Sequence, residues 1–144
     1  MELVITELVK QALLEDLGGG DLTTLYTVSP HQRGKGSLVA KQEGVIAGLP
    51  VAEQVFKALD NRLGFISLVK DGQKVNPGTV IAEVNGPLQP ILSGERTALN
   101  FLQQLSGIAT MTWCWAKELE GSRAKLVDTR KTTPGLRALQ KYAV

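Results

Sequence analysis

Cysteine, histidine and long apolar runs are the scarcest features of this sequence. Cys114 and His31 are the one cysteine and the one histidine among the 144 residues. A single cysteine excludes an intramolecular disulfide framework and a cysteine-based zinc site, and a lone histidine cannot supply a metal site. No apolar run approaches the roughly 20 residues of a membrane-spanning helix, and the N-terminus lacks the basic-then-apolar pattern of a secretory signal. We therefore expect a cytoplasmic protein without a membrane partner.

Positive and negative charges are close to balance, since the formal net charge is +2. Such a small excess gives no reason to expect nucleic acid or a membrane surface as a partner. An apolar fraction of 43% and a charged fraction of 21% are typical of a soluble globular protein. With 144 residues the chain is long enough to bury a core.

Four segments carry the apolar spacing of a helix or the signals that start one. The first covers residues 3–16 and ends at three consecutive glycines. The second begins at Pro50 and continues to about residue 60. The third covers residues 88–119, is apolar on more than one side, and has two internal glycines that predict a kink, a close approach or a division into two helices. Cys114 lies within it and is expected to be a small buried hydrophobe. The last helix starts at Leu136.

Short β-rich runs separated by glycine and proline turns predict a small mixed sheet. Residues 70–84 are interpreted as a hairpin followed by a further strand, and they resemble one half of a biotinyl or lipoyl carrier domain. The Met-Lys-Met and Asp-Lys-Ala contexts of a modified carrier lysine are missing, so we interpret the likeness as a shared β-hammerhead hairpin. Residues 21–24 are predicted to be a loop or extended chain. The predicted strands are residues 37–41, 45–47, 65–70, 75, 79–84 and 126–127.

The most informative stretch is Lys125-Leu-Val-Asp-Thr-Arg-Lys-Thr-Thr-Pro-Gly-Leu-Arg137. A short apolar run ends at an acid, and Thr129, Arg130 and Lys131 then precede two more threonines and a Pro-Gly turn. Arginine offers a planar fork to a carboxylate, and lysine offers a compact charge to a phosphate. Open α/β sheets and barrels bind ligands at the carboxyl ends of their strands, where this cluster would lie. The stretch therefore predicts a site for a multiply charged anion. The alternative, from composition alone, is a solvated basic loop.

Three segments, in this order, carry a family resemblance. They are Leu14-Glu-Asp-Leu-Gly with Gly-Asp-Leu-Thr-Thr24, then Ser93-Gly-Glu-Arg-Thr-Ala-Leu-Asn-Phe-Leu102, then Asp128-Thr-Arg-Lys-Thr-Thr-Pro-Gly135. Together they closely resemble the quinolinate phosphoribosyltransferase family, also called nicotinate-nucleotide pyrophosphorylase (carboxylating). The resemblance covers most of the chain. In the family, a glycine-rich loop containing His-Arg and the rest of an α/β barrel follow the last segment.

The resemblance and the patterns together imply an α+β fold in two parts. Residues 1–122 are expected to form an N-terminal α/β-hammerhead-like domain with a mixed sheet, helices and one long helix. Residues 123–144 are expected to be the start of a C-terminal α/β barrel. A barrel needs about 200 residues or more, so we expect this second domain to be truncated in the sequence.

The resemblance also implies a reaction in NAD biosynthesis. The family transfers a phosphoribosyl group from phosphoribosyl pyrophosphate to quinolinate with Mg²⁺, giving nicotinate mononucleotide, pyrophosphate and carbon dioxide. Arg130, held by Thr129, would pair with a quinolinate carboxylate, and Lys131 would contact phosphate or carboxylate oxygens. Arg96 would reach across a homodimer interface into the neighbour's site, although without the family it would be interpreted as an exposed helix arginine. No residue is assigned as catalytic or as a metal ligand.

Other hypotheses stay open. One is a related phosphoribosyltransferase of the same fold, either a nicotinate enzyme or a molybdenum-associated homologue. Another is a non-catalytic module in which the long helix dimerises. Arg137 and Lys141 either add to the positive field of the site or face solvent. We expect the sequence to be the N-terminal part of a longer enzyme and inactive alone, a naturally short protein being the alternative. Residues 125–144 are then expected to be poorly packed and weakly protected from hydrogen exchange.

Overall fold

The computed structural model describes residues 2–144, in which five helices and five strands are formed. The helices are α1 (Glu2–Leu17), α2 (Leu22–Thr27), α3 (Leu49–Leu59), α4 (Leu88–Glu118) and α5 (Arg137–Ala143). The strands are β1 (Arg33–Val39), β2 (Gly44–Val45), β3 (Gly64–Ser67), β4 (Lys74–Val75) and β5 (Val80–Pro87). The predicted combination of helices and strands is confirmed, but the single mixed sheet is not, because the described strands form two sheets in which every pairing is antiparallel.

The five strands form two separate antiparallel sheets. The larger has the order β1-β5-β3, and the smaller pairs β2 with β4. Because β5 is central it is hydrogen-bonded along both edges, and it buries Ile81, Ala82 and Val84. The predicted hairpin within residues 70–84 is wrong, since β4 pairs with neither β3 nor β5. Alternation of apolar and polar residues predicts a strand, but which strand it pairs with depends on contacts between residues that are distant in sequence.

Helix α4 is one unbroken helix of 31 residues that packs against α3 and the larger sheet. Its two internal glycines differ in role. A Cβ added at Gly94 would lie 2.9 Å from Leu59 Cδ1 and 3.1 Å from Phe56 Cδ1, whereas one added at Gly107 would meet no atom within 4 Å. Gly94 therefore marks the close approach of α3 and α4 that the sequence allowed for, and no division occurs at Gly107.

The C-terminal part of α4 is buried on one side only. Cys114 is exposed, so the prediction that it is buried is wrong. The buried stripe passes through Leu105 and Ala109. Because each helical residue turns the chain by about 100°, Cys114 points about 140° away from Ala109. Met111 and Trp115, exposed at 60% and 57%, show that apolar residues there do not all face the core.

Residues 21–24, predicted to be a loop or extended chain, instead cap and begin helix α2. The Asp21 carboxylate accepts hydrogen bonds from the Thr24 backbone N–H at 3.1 Å and from the Thr24 hydroxyl at 2.5 Å. An aspartate in this position satisfies a backbone donor that the first helical turn leaves unpaired. The glycine end predicted for α1 is confirmed, with Gly18 at φ +50.

The segment between α4 and α5 runs over the surface. Residues 121–131 are exposed, and the strand predicted at 126–127 is not formed. A strand needs a neighbour for its N–H and C=O groups, and no strand of the described chain pairs with this segment. Helix α5 is present as predicted and packs on α4, with Leu139 and Ala143 buried. The loose packing expected for residues 125–144 is thus found in the exposed segment but not in α5. The weak protection from hydrogen exchange expected for these residues stays a prediction.

Two observations concern single features outside the core. His31, the one histidine, lies between α2 and β1 and is exposed. Among residues 2–144, no helix combines the length and apolar character that crossing a bilayer requires. The cytoplasmic location stays a prediction.

Candidate functional site

Residues 128–133 form a tight turn that we call the cationic loop. Arg130 and Lys131 are exposed there, and neither belongs to any ion pair within residues 2–144. The Lys131 backbone N–H donates to the Thr129 hydroxyl at 3.0 Å, and the Thr132 backbone N–H donates to the Arg130 carbonyl at 3.1 Å. The apex of the loop therefore carries two cations that no acidic side chain of the described chain neutralises.

A Pro-Gly turn connects the cationic loop to α5. The Leu136 backbone N–H donates to the Thr133 carbonyl at 3.0 Å, and Gly135 has φ +81. Proline in the second position and a positive-φ glycine in the third are the features of a type II turn. Proline also biases the residue before it toward extended backbone. The local sequence thus fixes the direction in which the chain passes from the loop into α5.

Arg137 and Lys141 of α5 both bind the cationic loop. Arg137 Nε donates to the Thr132 hydroxyl at 3.2 Å. Lys141 Nζ forms an ion pair with Asp128, the first residue of the loop. These contacts hold the loop. They do not decide between the two interpretations that the sequence left open, a contribution to the positive field of the site or a solvent-facing charge, and both stay predictions.

Arg96 lies on α4, and its side chain is 67% exposed. Its Nε donates to Asp16 Oδ1 at 2.5 Å, and the Thr97 hydroxyl donates to Asp16 Oδ2 at 3.3 Å. The hydrogen bond with Asp16 and its negative charge raise the pKa of Arg96, so this residue is a fixed cation. Within residues 2–144, no group accepts a hydrogen bond from the terminal Nη atoms of Arg96. These donors are available to a ligand.

A cavity of about 520 Å³ opens beside Arg96. The carboxylate of Asp21 lies at its edge and accepts a hydrogen bond from the Ser93 hydroxyl at 3.1 Å in addition to those from Thr24. The hydrogen bonds from Thr24 are the main reason that the pKa of Asp21 is lowered. The lining comes from α2, its cap and α4, and consists of Asp21, Thr23, Thr24, Leu92, Glu95, Arg96, Leu99, Asn100 and Gln103.

The structure does not bring Arg96 together with the cationic loop. Helix α5 lies beside the far part of α4, where Ala143 lines a second cavity with Ala109 and Ala116. From Arg96 to Ala109 is about 13 residues, which corresponds to about 20 Å along a helix. No hydrogen bond or ion pair joins Arg96 to residues 128–133 in the described chain. The predicted site residues therefore form two separate clusters within one copy.

Comparison with known proteins identifies the family. The model described as the quinolinate phosphoribosyl transferase N-terminal domain matches residues 21–106. The model of the C-terminal domain of the same family matches residues 108–144. The first match alone covers more than half of the chain. The chain belongs to the quinolinate phosphoribosyltransferase family.

Relatives match nearly the whole chain, although the chain spans about half of their length. It is 46% identical over 142 residues to the probable nicotinate-nucleotide pyrophosphorylase (carboxylating) of Bacillus subtilis strain 168, covering 99% of this chain and 49% of that protein. The Synechocystis protein of the same name is 47% identical over 141 residues, covering 98% and 48%. The crystal structure of NadC from Streptococcus pyogenes has a TM-score of 0.95 at 42% identity, covering 99% of this chain and 51% of that one.

Two carboxylates of this quinolinate phosphoribosyltransferase chain were overlooked in the sequence. Asp16 and Asp21 belong to the first family segment, but no role was predicted for either. Asp21 could have been found, because an aspartate three residues before Thr24 has the spacing of a helix cap. Asp16 could not, because it lies 80 positions from Arg96 and only the fold brings the two together. The roles predicted for the four site residues stay predictions.

The described residues contain no evident site for a resident metal. No group of three or more His, Cys, Asp or Glu side chains within residues 2–144 is placed to hold a metal ion. Mg²⁺ is bound by several oxygen ligands in near-octahedral geometry. The side chains described here do not fit such a site by themselves.

Proposed function

We propose that this chain contributes to phosphoribosyl transfer from phosphoribosyl pyrophosphate to quinolinate, with decarboxylation, in NAD biosynthesis. The products are nicotinate mononucleotide, pyrophosphate and carbon dioxide. One observation carries the proposal. In a member of this family, Arg130 and Lys131 form an exposed pair of cations without an acidic partner at the apex of the cationic loop. The names of the Bacillus and Synechocystis relatives support the same carboxylating nicotinate-nucleotide chemistry.

The cationic loop suits the charges of both substrates. Arg130 would bind a quinolinate carboxylate through two parallel hydrogen bonds. Lys131 would contact phosphate or carboxylate oxygens as a point charge. Thr129 would hold the apex in shape, since its hydroxyl already accepts the Lys131 backbone N–H at 3.0 Å. Such fixed cations stabilise the negative charge that develops as pyrophosphate leaves.

We propose that Arg96 serves the site of a second copy in a homodimer. The assignment is supported by the absence of any hydrogen bond or ion pair between Arg96 and the loop in the described residues, and by the roughly 20 Å of α4 between Arg96 and Ala109, next to Ala143 of α5. The surroundings of Arg96 suit a protein contact, because Leu92 lines its cavity and helix α2, which also lines that cavity, exposes Leu22 and Leu25 at 62% and 54%. Exposed apolar groups rimmed by polar ones are typical of interaction surfaces.

Mg²⁺ is proposed to enter with phosphoribosyl pyrophosphate, bound to its phosphate oxygens. When bound, it neutralises charge on the leaving pyrophosphate. Because the described side chains do not fit a metal cluster, we assign no ligand to it. Residues 128–133 would bind and orient the anions beside it. No residue of this chain is proposed as a general acid or base.

The finer architecture is also part of the proposal. Residues 1–122 would be a hammerhead-like N-terminal domain, and residues 123–144 would contribute the first strand and helix of an α/β barrel. Leu126 and Val127, exposed at 41% and 76%, support this, because an apolar pair in an extended segment suits a strand that pairs with other chain. Since the relatives are about twice as long, we expect the 144-residue chain to be inactive alone and the complete protein to act in the cytoplasm.

Release of labelled carbon dioxide from carboxyl-labelled quinolinate tests the proposal. The assay compares reactions with and without phosphoribosyl pyrophosphate, in the presence of Mg²⁺, for the complete natural protein and for the 144-residue chain. Arg130→Ala should lower kcat/KM by about 30-fold or more, because it leaves a bound carboxylate unpaired. Arg123→Ala is the matched control, since Arg123 is also exposed and belongs to no ion pair of the described chain.

Failure of the folded complete protein to release carbon dioxide would contradict the proposal. Consumption of nicotinate in place of quinolinate would favour a related phosphoribosyltransferase. A stable dimer that binds neither quinolinate nor phosphoribosyl pyrophosphate would favour a non-catalytic dimerisation module.

A further inference from the structure

One face of α5 is bound to the cationic loop at three positions. Arg137, Gln140 and Lys141 are spaced three and four residues apart, so they lie on the same side of the helix. Arg137 donates to a loop threonine, and Lys141 pairs with the first loop residue. Gln140 lies between these two contacts along the helix. The loop is therefore held near its start and over its last two residues, and its apex is left open.

Gln140 makes a two-bond contact with a single loop residue. The Thr133 backbone N–H donates to Gln140 Oε1 at 2.9 Å, and Gln140 Nε2 donates to the Thr133 hydroxyl at 2.9 Å. Thr133 has the last backbone N–H before the turn, because Pro134 has none. One neutral side chain thus fixes both the backbone and the side chain of the residue at which the loop ends.

The opposite face of α5 fixes this contact relative to the core. Leu139 and Ala143 are 1% and 6% exposed. The Tyr142 hydroxyl donates to Asp71 Oδ2 at 2.7 Å, and the same carboxylate oxygen accepts the Gly48 backbone N–H, at the start of α3, at 2.8 Å. Because these contacts attach α5 to α3 and α4, the hydrogen bonds of Gln140 hold Thr133 at a fixed place relative to the core.

We propose that Gln140 is a positioning residue for the anion site formed by Arg130 and Lys131. The inference rests on the proposed function of the cationic loop. Neither apex cation has an acidic partner in the described chain, so their placement depends on how the ends of the loop are held. A loop held in its binding geometry loses less conformational entropy when the ligand binds. Gln140 is uncharged, so it acts through the geometry of the loop and not through the electrostatic field.

Gln140→Leu tests this role, because it keeps the approximate volume and removes both hydrogen bonds. The control is Gln89→Leu, which removes the 2.8 Å hydrogen bond from Gln89 Nε2 to the Val28 carbonyl, away from the loop. Amide hydrogen exchange of Lys131 and Thr133 should speed up by about two- to tenfold in Gln140→Leu and stay unchanged in the control. In the complete natural protein, KM for quinolinate should rise by a similar factor, with a smaller change in kcat and a urea midpoint no lower than that of the Gln89→Leu control.

Thr133→Val provides a second route to the same answer. It removes the hydroxyl that accepts from Gln140 but keeps the backbone N–H, so its effects should have the same sign and be smaller. The effects of the double variant should be less than additive, because both changes remove one shared contact. If Gln140→Leu does not fold, Thr133→Val carries the test alone.

Two results would overturn the inference. One is unchanged exchange at the loop together with an unchanged KM for quinolinate. The other is faster exchange throughout the protein with a lower urea midpoint, which would make Gln140 a structural residue only. If the wild-type protein does not consume quinolinate, the proposed function fails instead. The loop exchange data would then still decide whether Gln140 holds the loop.

Discussion

Arg96 and Arg130 are both exposed arginines, but their surroundings differ. Arg96 is paired through Nε with Asp16 at 2.5 Å, whereas Arg130 belongs to no ion pair of the described residues. Exposed ion pairs contribute little to folding, typically about 0–1 kcal/mol. The main effect of Asp16 is therefore expected to be on the direction of the Arg96 guanidinium, whose Nη atoms remain available.

Asp16→Asn separates the orienting effect of this carboxylate from its effect on stability. Asparagine keeps an acceptor for the Thr97 hydroxyl but removes the charge that holds Arg96. We expect the free energy of unfolding to fall by less than about 1 kcal/mol and KM for quinolinate to rise by about two- to tenfold. Glu53→Gln is the matched control, because it breaks the exposed 2.6 Å pair with Lys57 on α3. Equal KM values for the two variants, with urea unfolding as the stability measurement, would refute the orienting role.

Tyr142 gives a dependence of stability on pH. Burial, and then the hydrogen bond to Asp71, raise the pKa of Tyr142 from 10.0 to about 12. A group whose pKa is raised by folding stabilises the protein fully below its unfolded pKa and loses that contribution as the pH rises through the folded pKa. The free energy of unfolding should therefore fall between pH 10 and about pH 12. Tyr142 is 45% exposed, so solvent screens the effect and only its direction is predicted.

Urea unfolding at a series of pH values measures this effect, with Tyr142→Phe as the control. Phenylalanine cannot ionise, so the variant should lack the part of the alkaline loss that belongs to this hydroxyl. If the free energy of unfolding falls equally with pH for wild type and Tyr142→Phe between pH 9 and pH 12, ionisation of Tyr142 does not contribute to the loss of stability.

At the scale of elements, the packing of α3 on α4 depends on a missing side chain. Gly94→Ala should destabilise the protein by about 1–3 kcal/mol, because the new Cβ would press on the packed Phe56 ring and on Leu59. Gly107→Ala, in the same helix, should stabilise it by about 0.5–1 kcal/mol, since alanine favours helix and the added Cβ meets no atom within 4 Å. Urea unfolding of the two variants measures the difference. A stabilised Gly94→Ala would contradict the close contact.

Elements with strong local signals were predictable, and those defined by distant contacts were not. Apolar periodicity gave α4 nearly to its ends, and the Pro-Gly pair gave the start of α5. Helix α2 has only six residues and no useful periodicity, so its cap was the one local sign. The strand predicted at 126–127 is not formed, because residues that favour β-structure still need a neighbouring strand to accept and donate their backbone hydrogen bonds. In the candidate site, the Arg130–Lys131 motif was visible in the sequence, whereas the Asp16 contact with Arg96 depends on the fold.

At the scale of the whole molecule, the chain carries two incomplete clusters. The cationic loop has two cations next to α5, and Arg96 lies on the N-terminal half of α4 beside a cavity that Leu92 and Leu99 also line. About 20 Å of α4 lies between Arg96 and Ala109, beside which Ala143 of α5 is placed, and no hydrogen bond or ion pair of the described residues joins Arg96 to the loop. A closed two-fold dimer gives each site the same partner surface, which makes two identical shared sites the simplest arrangement.

Mixing two impaired variants of the complete protein tests this arrangement. Arg96→Ala keeps an intact cationic loop, and Arg130→Ala keeps an intact Arg96. If Arg96 serves the partner's loop, each mixed dimer has one site with both residues intact and one site with neither. Random exchange makes about half of the dimers mixed, so quinolinate turnover should recover to about a quarter of the wild-type rate.

The matched control is a mixture of Arg130→Ala with Lys131→Ala. Both changes lie on the loop, so every site of a mixed dimer keeps a defect and turnover should stay at the level of the separate variants. Native mass spectrometry establishes that mixed dimers have formed in both mixtures. If mixed Arg96→Ala and Arg130→Ala dimers are present and turnover does not recover, Arg96 acts within its own copy. The separation of the two clusters would then have to be closed by a movement of α5 and the loop, because α4 is continuous between them.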